Sequence, residues 1–77
     1  MTEGAGTGPL GKYANHFTVG SNALEIVLDF GQWYEGDEAQ LHTRIVTSPR
    51  YALTLMQLLA ETLEQHQARY GALGPDR

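Results

Sequence analysis

The sequence contains no cysteine, which excludes disulfide bonds, thiolate nucleophiles and zinc sites built on thiolates. Basic residues are also scarce, because five lysines and arginines stand against nine acidic residues for a net charge of −4. These basic residues are scattered along the chain, whereas binding to phosphates needs a basic cluster. A nucleic acid is therefore a minor candidate partner.

Long apolar runs are absent too. Residues 1–12 include four glycines and no apolar stretch, so we expect neither a secretory leader nor a membrane span, and we expect a cytoplasmic protein. The same residues lack the apolar side chains that would stabilise a packed structure. We predict flexible tails over residues 1–12 and 72–77 and a single domain over residues 13–71.

The chain is short for a protein that must bury its own core. With 77 residues, 42% of them hydrophobic, it is globular in composition but would bury only about 60% of the surface that its unfolded form exposes. Disulfides cannot compensate, and the remaining means are a metal, a partner or self-association. Self-association is the simplest of these, and we expect it.

Alternating apolar and polar residues predict three β-strands, at residues 13–19, 24–30 and 40–47. The sequence Gly-Ser-Asn at 20–22 is typical of a hairpin turn between the first two strands. Gly31 is expected to end the second strand, and residues 32–39 are expected to form a loop.

A long amphipathic helix is predicted after the third strand. Ser48-Pro49 is a helix-start signal and Gly71 a stop signal. Apolar residues recur between them at spacings of three and four: Ala52, Leu55, Met56, Leu59, Leu63, His66 and Tyr70. A helix of about 22 residues is roughly 33 Å long, whereas three strands at about 4.8 Å each are much narrower.

The apolar stripe is therefore too long and, with Leu53 and Leu58 on its flanks, too wide for a single contact. We predict an α+β fold of the β-β-β-α type, whose helix packs on its own sheet and also meets a second copy in a two-fold dimer. The predicted dimer interface consists of Leu53, Leu58, Leu59, Leu63 and His66.

Three segments of the sequence resemble a known family. These are Tyr13-Ala14-Asn15, Leu28-Asp29-Phe30-Gly31-Gln32, and Arg44-Ile45-Val46-Thr47-Ser48-Pro49 leading into a leucine-rich helix that ends at Tyr70-Gly71. The pattern is similar to a family of short bacterial and archaeal proteins known as a domain of unknown function. The resemblance implies a small stand-alone cytoplasmic protein and transfers no catalytic residue.

Signals for metal or enzyme chemistry are weak. The three histidines, His16, His42 and His66, show no spacing typical of a metal site, and we predict no metal and no cofactor. Glu25 and Asp29 lie on one strand face as a conceivable acid–base pair, but solvated charges are the commoner arrangement, and Asp29 can instead pair with Arg44 across two strands. No nucleophile or phosphate-loop motif is present, so we predict no enzymatic activity.

The loop after the second strand is the best candidate for function. It carries five residues of interest: Trp33, Tyr34, Glu35, Asp37 and Glu38. The tryptophan either packs at the end of a core or dimer seam, or it is an exposed anchor that a basic protein partner meets through the acidic rim. The leading hypothesis is a non-enzymatic homodimeric adaptor that binds another protein. The alternative is a small nucleic-acid-associated regulator whose dimer brings Arg44 and Arg50 together.

Overall fold

The computed structural model describes residues 8–74 of the chain, which form three strands followed by one helix. The elements are β1 (His16–Ser21), β2 (Ile26–Gln32), β3 (Gln40–Thr47) and α1 (Pro49–Tyr70). The strands form one antiparallel sheet in the order β1-β2-β3. The predicted β-β-β-α architecture is thereby confirmed.

The chain ends fall partly outside this description. Most of the predicted N-terminal tail and the last part of the predicted C-terminal tail lie outside the described residues. Residues 8–15 form no helix or strand. No helix in the described part of the chain has the length and apolar character that a bilayer crossing requires.

The first hairpin turns two to three residues later than its sequence predicts. The Asn22 side-chain oxygen accepts hydrogen bonds from the backbone N–H groups of Leu24 and Glu25, each at 2.9 Å. The Asn22 N–H donates to the Glu25 carbonyl at 3.0 Å. These local bonds compete with the strand ladder, so Leu24 lies in the turn and not in β2, where the alternation had placed it.

The strand register separates the sheet into two different faces. Phe17 lies opposite Phe30, Val19 opposite Leu28, and Leu28 opposite Ile45. Since side chains on one face recur every second residue, one face is formed by uncharged side chains, which we call the apolar sheet face: Phe17, Val19, Ser21, Ile26, Leu28, Phe30, Thr43, Ile45 and Thr47. The other face carries the polar row of Thr18, Asp29 and Arg44.

Helix α1 begins and ends where the sequence predicts. Ser48 is the N-cap, and its hydroxyl accepts a hydrogen bond from the Tyr51 N–H at 3.1 Å. Pro49 occupies the first turn, where its missing N–H costs nothing. Gly71 follows the last turn with φ +96°, a positive value that favours glycine, and its N–H donates to the Gln67 carbonyl at 2.8 Å.

Removing the N-cap should weaken the fold moderately. We expect Ser48→Ala to lower the free energy of unfolding by about 1 kcal/mol, because the Tyr51 N–H loses its acceptor. Urea titration followed by circular dichroism measures this change. Ser48→Thr keeps the hydroxyl and should recover most of the stability; equal losses in both variants would mean that capping is not the cause.

The helix does not pack on its own sheet, which corrects the sequence-based prediction. No residue of α1 is buried, and the strands contact one another but barely contact the helix. No hydrophobic side chain among residues 8–74 is fully buried, and the apolar residues of β2 are only half-buried. Over residues 8–74 the single chain consequently has a sheet and a helix but no hydrophobic core.

The junction between β3 and α1 explains this separation. Only Ser48 connects Thr47 to Pro49, whereas chains that reverse between a strand and a helix usually need a loop of two to six residues. Proline also restricts the residue before it to extended backbone, and Ser48 has ψ 159°. Ser48 therefore continues the strand directly into the helix and supplies no loop in which the chain could fold back.

Candidate functional site

A β-bulge lies at the end of the sheet from which the candidate loop emerges. The pairing of β2 with β3 shifts between Phe30 and Gly31, so that Thr43 faces Phe30 but Leu41 faces Gly31. A Cβ atom built on Gly31 would overlap the Gln40 carbonyl and approach the Leu41 Cα to 2.8 Å. Gly31 therefore permits close contact between the backbones of β2 and β3. The prediction that it ends the second strand is wrong, because β2 continues to Gln32.

The Asn15 side chain fixes the first residue of the loop. Its Oδ1 accepts from the Trp33 N–H at 2.7 Å, and its Nδ2 donates to the Trp33 carbonyl at 3.0 Å. The Asn15 backbone N–H also donates to the Gly31 carbonyl at 2.9 Å. Asn15 thus satisfies both backbone groups of Trp33, in the way that a neighbouring strand would.

Tyr13, in the segment before β1, is hydrogen-bonded to side chains of both β2 and β3. The Tyr13 carbonyl accepts from Gln32 Nε2 at 3.2 Å and lies 2.9 Å from His42 Nε2. Because a carbonyl only accepts, His42 carries its proton on Nε2, and in the neutral ring Nδ1 accepts from the Thr43 hydroxyl at 2.7 Å. His42 is therefore occupied in holding the segment before β1 against the sheet.

The loop itself, residues 33–39, which we call the Trp33 loop, contains a tight turn. The Asp37 N–H donates to the Tyr34 carbonyl at 3.0 Å, and Gly36 has φ +91°. A turn with positive φ at its third residue is typical of type II and favours glycine there. The loop backbone is thereby constrained at its first residue and again at its tip.

The side chains of the Trp33 loop remain accessible. Trp33 is 47% exposed and Tyr34 is 57% exposed. Glu35, Asp37 and Glu38 are exposed beside them. An open hollow of about 350 Å³ is lined by Gln32, Tyr34, Asp37, Glu38 and Gln40. Trp33 therefore does not plug a core of its own chain. Of the five predicted partner-binding residues, Tyr34, Asp37 and Glu38 share the hollow, whereas Trp33 and Glu35 are exposed on the same loop outside its lining.

Asp29 and Arg44 form the ion pair that their strand positions predict. Arg44 Nε donates to Asp29 Oδ1 at 2.8 Å and Nη2 to Oδ2 at 2.9 Å. The Thr18 hydroxyl, on β1, donates to Oδ2 at 3.4 Å. Asp29 is 9% exposed. This two-pronged pair has the geometry of a structural contact across the sheet.

The ion pair should make stability depend on acid pH. Hydrogen bonds from Arg44 outweigh partial burial and hold the pKa of Asp29 below its ordinary 3.8. A carboxyl group with a lowered folded pKa stabilises the fold above its ordinary pKa, and this contribution is lost as pH falls through the folded value. We expect Asp29→Asn to be less stable than wild type at pH 7, and the difference to shrink below pH 3.8.

Urea titrations of both proteins at pH 7 and at about pH 3 measure that difference. Asp37→Asn removes an exposed carboxylate from the Trp33 loop and is the matched control. A difference between wild type and Asp29→Asn that stays constant over this range would contradict the assignment.

The other residues singled out from the sequence are more dispersed. His16 and His42 belong to the sheet, whereas His66 lies on α1 with its ring centroid 4.8 Å from that of Tyr70. No group of three potential metal ligands occurs among residues 8–74, and the expectation of no metal stays a prediction. Glu25 lies in the first turn, so it and Asp29 do not share a strand.

The predicted dimer contacts all lie on α1. Leu53, Leu58, Leu59 and Leu63 are each about half exposed, and His66 is exposed. In the single chain no other element covers them. Dimerisation itself stays a prediction.

Sequence reasoning missed three residues that build the site, namely Asn15, Gly31 and His42. The spacing of Asn15 from Trp33 in the sequence does not predict their hydrogen bonds, because this contact depends on how two distant segments pack together. A signal did exist for Gly31: a glycine inside a strand pattern is typical of a bulge.

Comparison with known proteins adds a family but no function. A family model described as a protein of unknown function, DUF3467, matches residues 4–74. No curated protein and no solved structure matches the chain. The residues on which the resemblance rested, Tyr13, Asn15, Gly31 and Gln32, are among those that bind one another at the base of the Trp33 loop. The family match covers most of the sequence, and the chain belongs to the DUF3467 family.

Proposed function

We propose that the chain is a cytoplasmic, non-enzymatic homodimer that binds another protein through the Trp33 loop. One observation carries the proposal: the loop backbone is held by Asn15 at its first residue while its aromatic side chains stay exposed. A constrained backbone lowers the entropy lost on binding. Tryptophan and tyrosine are the side chains most enriched at the energetic centres of protein interfaces.

The charge around the loop supports a basic partner. Asp37 and Glu38 line one hollow with Tyr34, and Glu35 is exposed on the same loop. Acidic side chains next to an aromatic anchor increase the rate at which a positively charged surface associates. Arg44, which a nucleic-acid-binding role would need, already neutralises Asp29 through two hydrogen bonds. That pairing favours a protein partner over a nucleic acid.

Truncating the tryptophan should remove binding without unfolding the chain. We expect Trp33→Ala to reduce capture of the partner at least 30-fold, because truncation of an interface hot spot costs about 2 kcal/mol or more. Affinity capture from cell extract with the tagged protein, quantified by mass spectrometry, measures this loss. Circular dichroism checks that the variant is folded.

Leu24→Ala is the matched control, since Leu24 is an exposed apolar residue in the turn at the opposite end of the sheet. It should capture the same proteins as wild type. Equal capture by Trp33→Ala and Leu24→Ala would reject the loop as the binding site. Retention of wild type on DNA at low salt, lost as salt rises, would support the nucleic-acid alternative instead.

A further inference from the structure

Two apolar surfaces of the chain are left without a partner. The first is the apolar sheet face, where Phe17 is 57% exposed, Val19 68% and Ile45 46%. The second is the stripe along α1 that includes Leu55, Leu59 and Leu63. Apart from His66 on the helix stripe, neither surface carries an acidic or basic side chain, so each suits an apolar cover and neither suits a charged ligand.

The chain also exposes more surface than a compact monomer of its size. The accessible surface of the chain is 6773 Å², whereas a folded monomer of 8.5 kDa should expose about 4,650 Å². The radius of gyration is 14.7 Å, against about 11.5 Å for a compact chain of this length. The excess over a compact monomer, about 2,100 Å² by this scaling, is larger than the ~800 Å² that each partner buries in a standard interface.

The helix stripe and the apolar sheet face match in length, so one can cover the other. A helix of 22 residues at 1.5 Å per residue is about 33 Å long, enough to span β3, whose eight residues extend about 27 Å. The Ser48-Pro49 junction provides no loop that would let α1 reach its own sheet. A second copy has no such restriction.

From these observations we infer that two chains exchange helices: α1 of each copy packs its apolar stripe on the apolar sheet face of the other. The inference rests on the homodimer of the proposed function and assigns its interface. A two-fold arrangement covers both sheets at once, because each contact made by one chain is repeated by its partner. One flank of each stripe, marked by Leu53 or by Leu58, then faces the helix of the other copy.

The absence of cysteine permits a direct test by cross-linking. A tagged chain with Leu28→Cys, on the apolar sheet face, is refolded with an untagged chain carrying Leu59→Cys, and a short bismaleimide is added. We expect a covalent product of one tagged and one untagged chain. Thr18→Cys, on the opposite sheet face, replaces Leu28→Cys as the control and should yield at least tenfold less of that product. Val19→Cys repeats the test on the same face if Leu28→Cys reduces the folded yield.

The double variant Leu28→Cys/Leu59→Cys separates exchange from folding back. At a concentration where the uncross-linked protein is dimeric, exchange predicts a covalent dimer, whereas an internally linked monomer would overturn the inference. Linkage between two Leu59→Cys chains without any sheet-to-helix product would also overturn it, as would equal yields from Leu28→Cys and Thr18→Cys. Adding Trp33→Ala to these variants should leave the yield of cross-linked product unchanged. The cross-links therefore test the exchange of helices, and partner capture tests the Trp33 loop independently.

Discussion

Gly31→Ala is expected to lower the free energy of unfolding by about 3 kcal/mol, at the upper end of what overpacking costs. The added methyl group would overlap the Gln40 carbonyl and crowd the Leu41 Cα. Both are backbone atoms and cannot rotate away, so the bulge between β2 and β3 has to open. Urea titration measures the loss, and the fluorescence of Trp33, the single tryptophan, should change with it because Trp33 follows the bulge by two residues.

Gly20→Ala is the matched control for this substitution. Gly20 is also a strand glycine, but a Cβ built on it meets nothing within 4 Å. Alanine is preferred over glycine in a strand interior by about 0.5–1 kcal/mol, so this variant should be as stable as wild type or more stable. Equal destabilisation by both substitutions would mean that the close contact at Gly31 is not what matters.

Leu59→Glu is expected to dissociate the dimer and unfold the chain. Leu59 is 53% exposed in the single chain, and a substitution at such a site in a folded monomer would change stability by only about 0.5 kcal/mol. Under the partner's sheet the same residue would be covered, and replacing it with a charge would cost about 3 kcal/mol or more in each copy. Both copies carry the change, so the loss is doubled.

Size-exclusion chromatography with light scattering, together with circular dichroism, measures this effect. Gln57→Glu adds the same charge on the opposite side of α1 and should remain dimeric and folded. If Leu59→Glu and Gln57→Glu behave alike, the apolar stripe is not an interface, and both the dimer and the exchange of helices are contradicted.

The sequence predicted those elements whose structure is fixed locally. Strand β3 and helix α1 have the predicted bounds, because Ser48-Pro49 and Gly71 set the helix ends through their own backbone and side-chain chemistry. The Asp29–Arg44 pair followed from strand alternation alone. The first turn was misplaced because the Asn22 side chain binds two backbone N–H groups, a competition that alternation does not express.

Features that depend on two distant segments were not predictable in the same way. The hydrogen bonds between Asn15 and Trp33 join residues 18 positions apart, and the bulge at Gly31 depends on how closely β3 approaches. The apolar stripe of the helix indicated which of its residues must be buried, but not the surface against which they pack. Its packing on the same chain was therefore predicted wrongly, although the need for a second contact was recognised.

If α1 packs on the sheet of a second copy, the chain acquires a hydrophobic core only in the dimer. Native mass spectrometry of the purified protein over a dilution series tests it most directly, since it reports copy number and charge state together. We predict a compact species with the mass of two 8.5 kDa chains, which on dilution gives way to highly charged, unfolded single chains. A compact single chain of 8.5 kDa at all concentrations would mean that one copy forms its own core and that the helices are not exchanged.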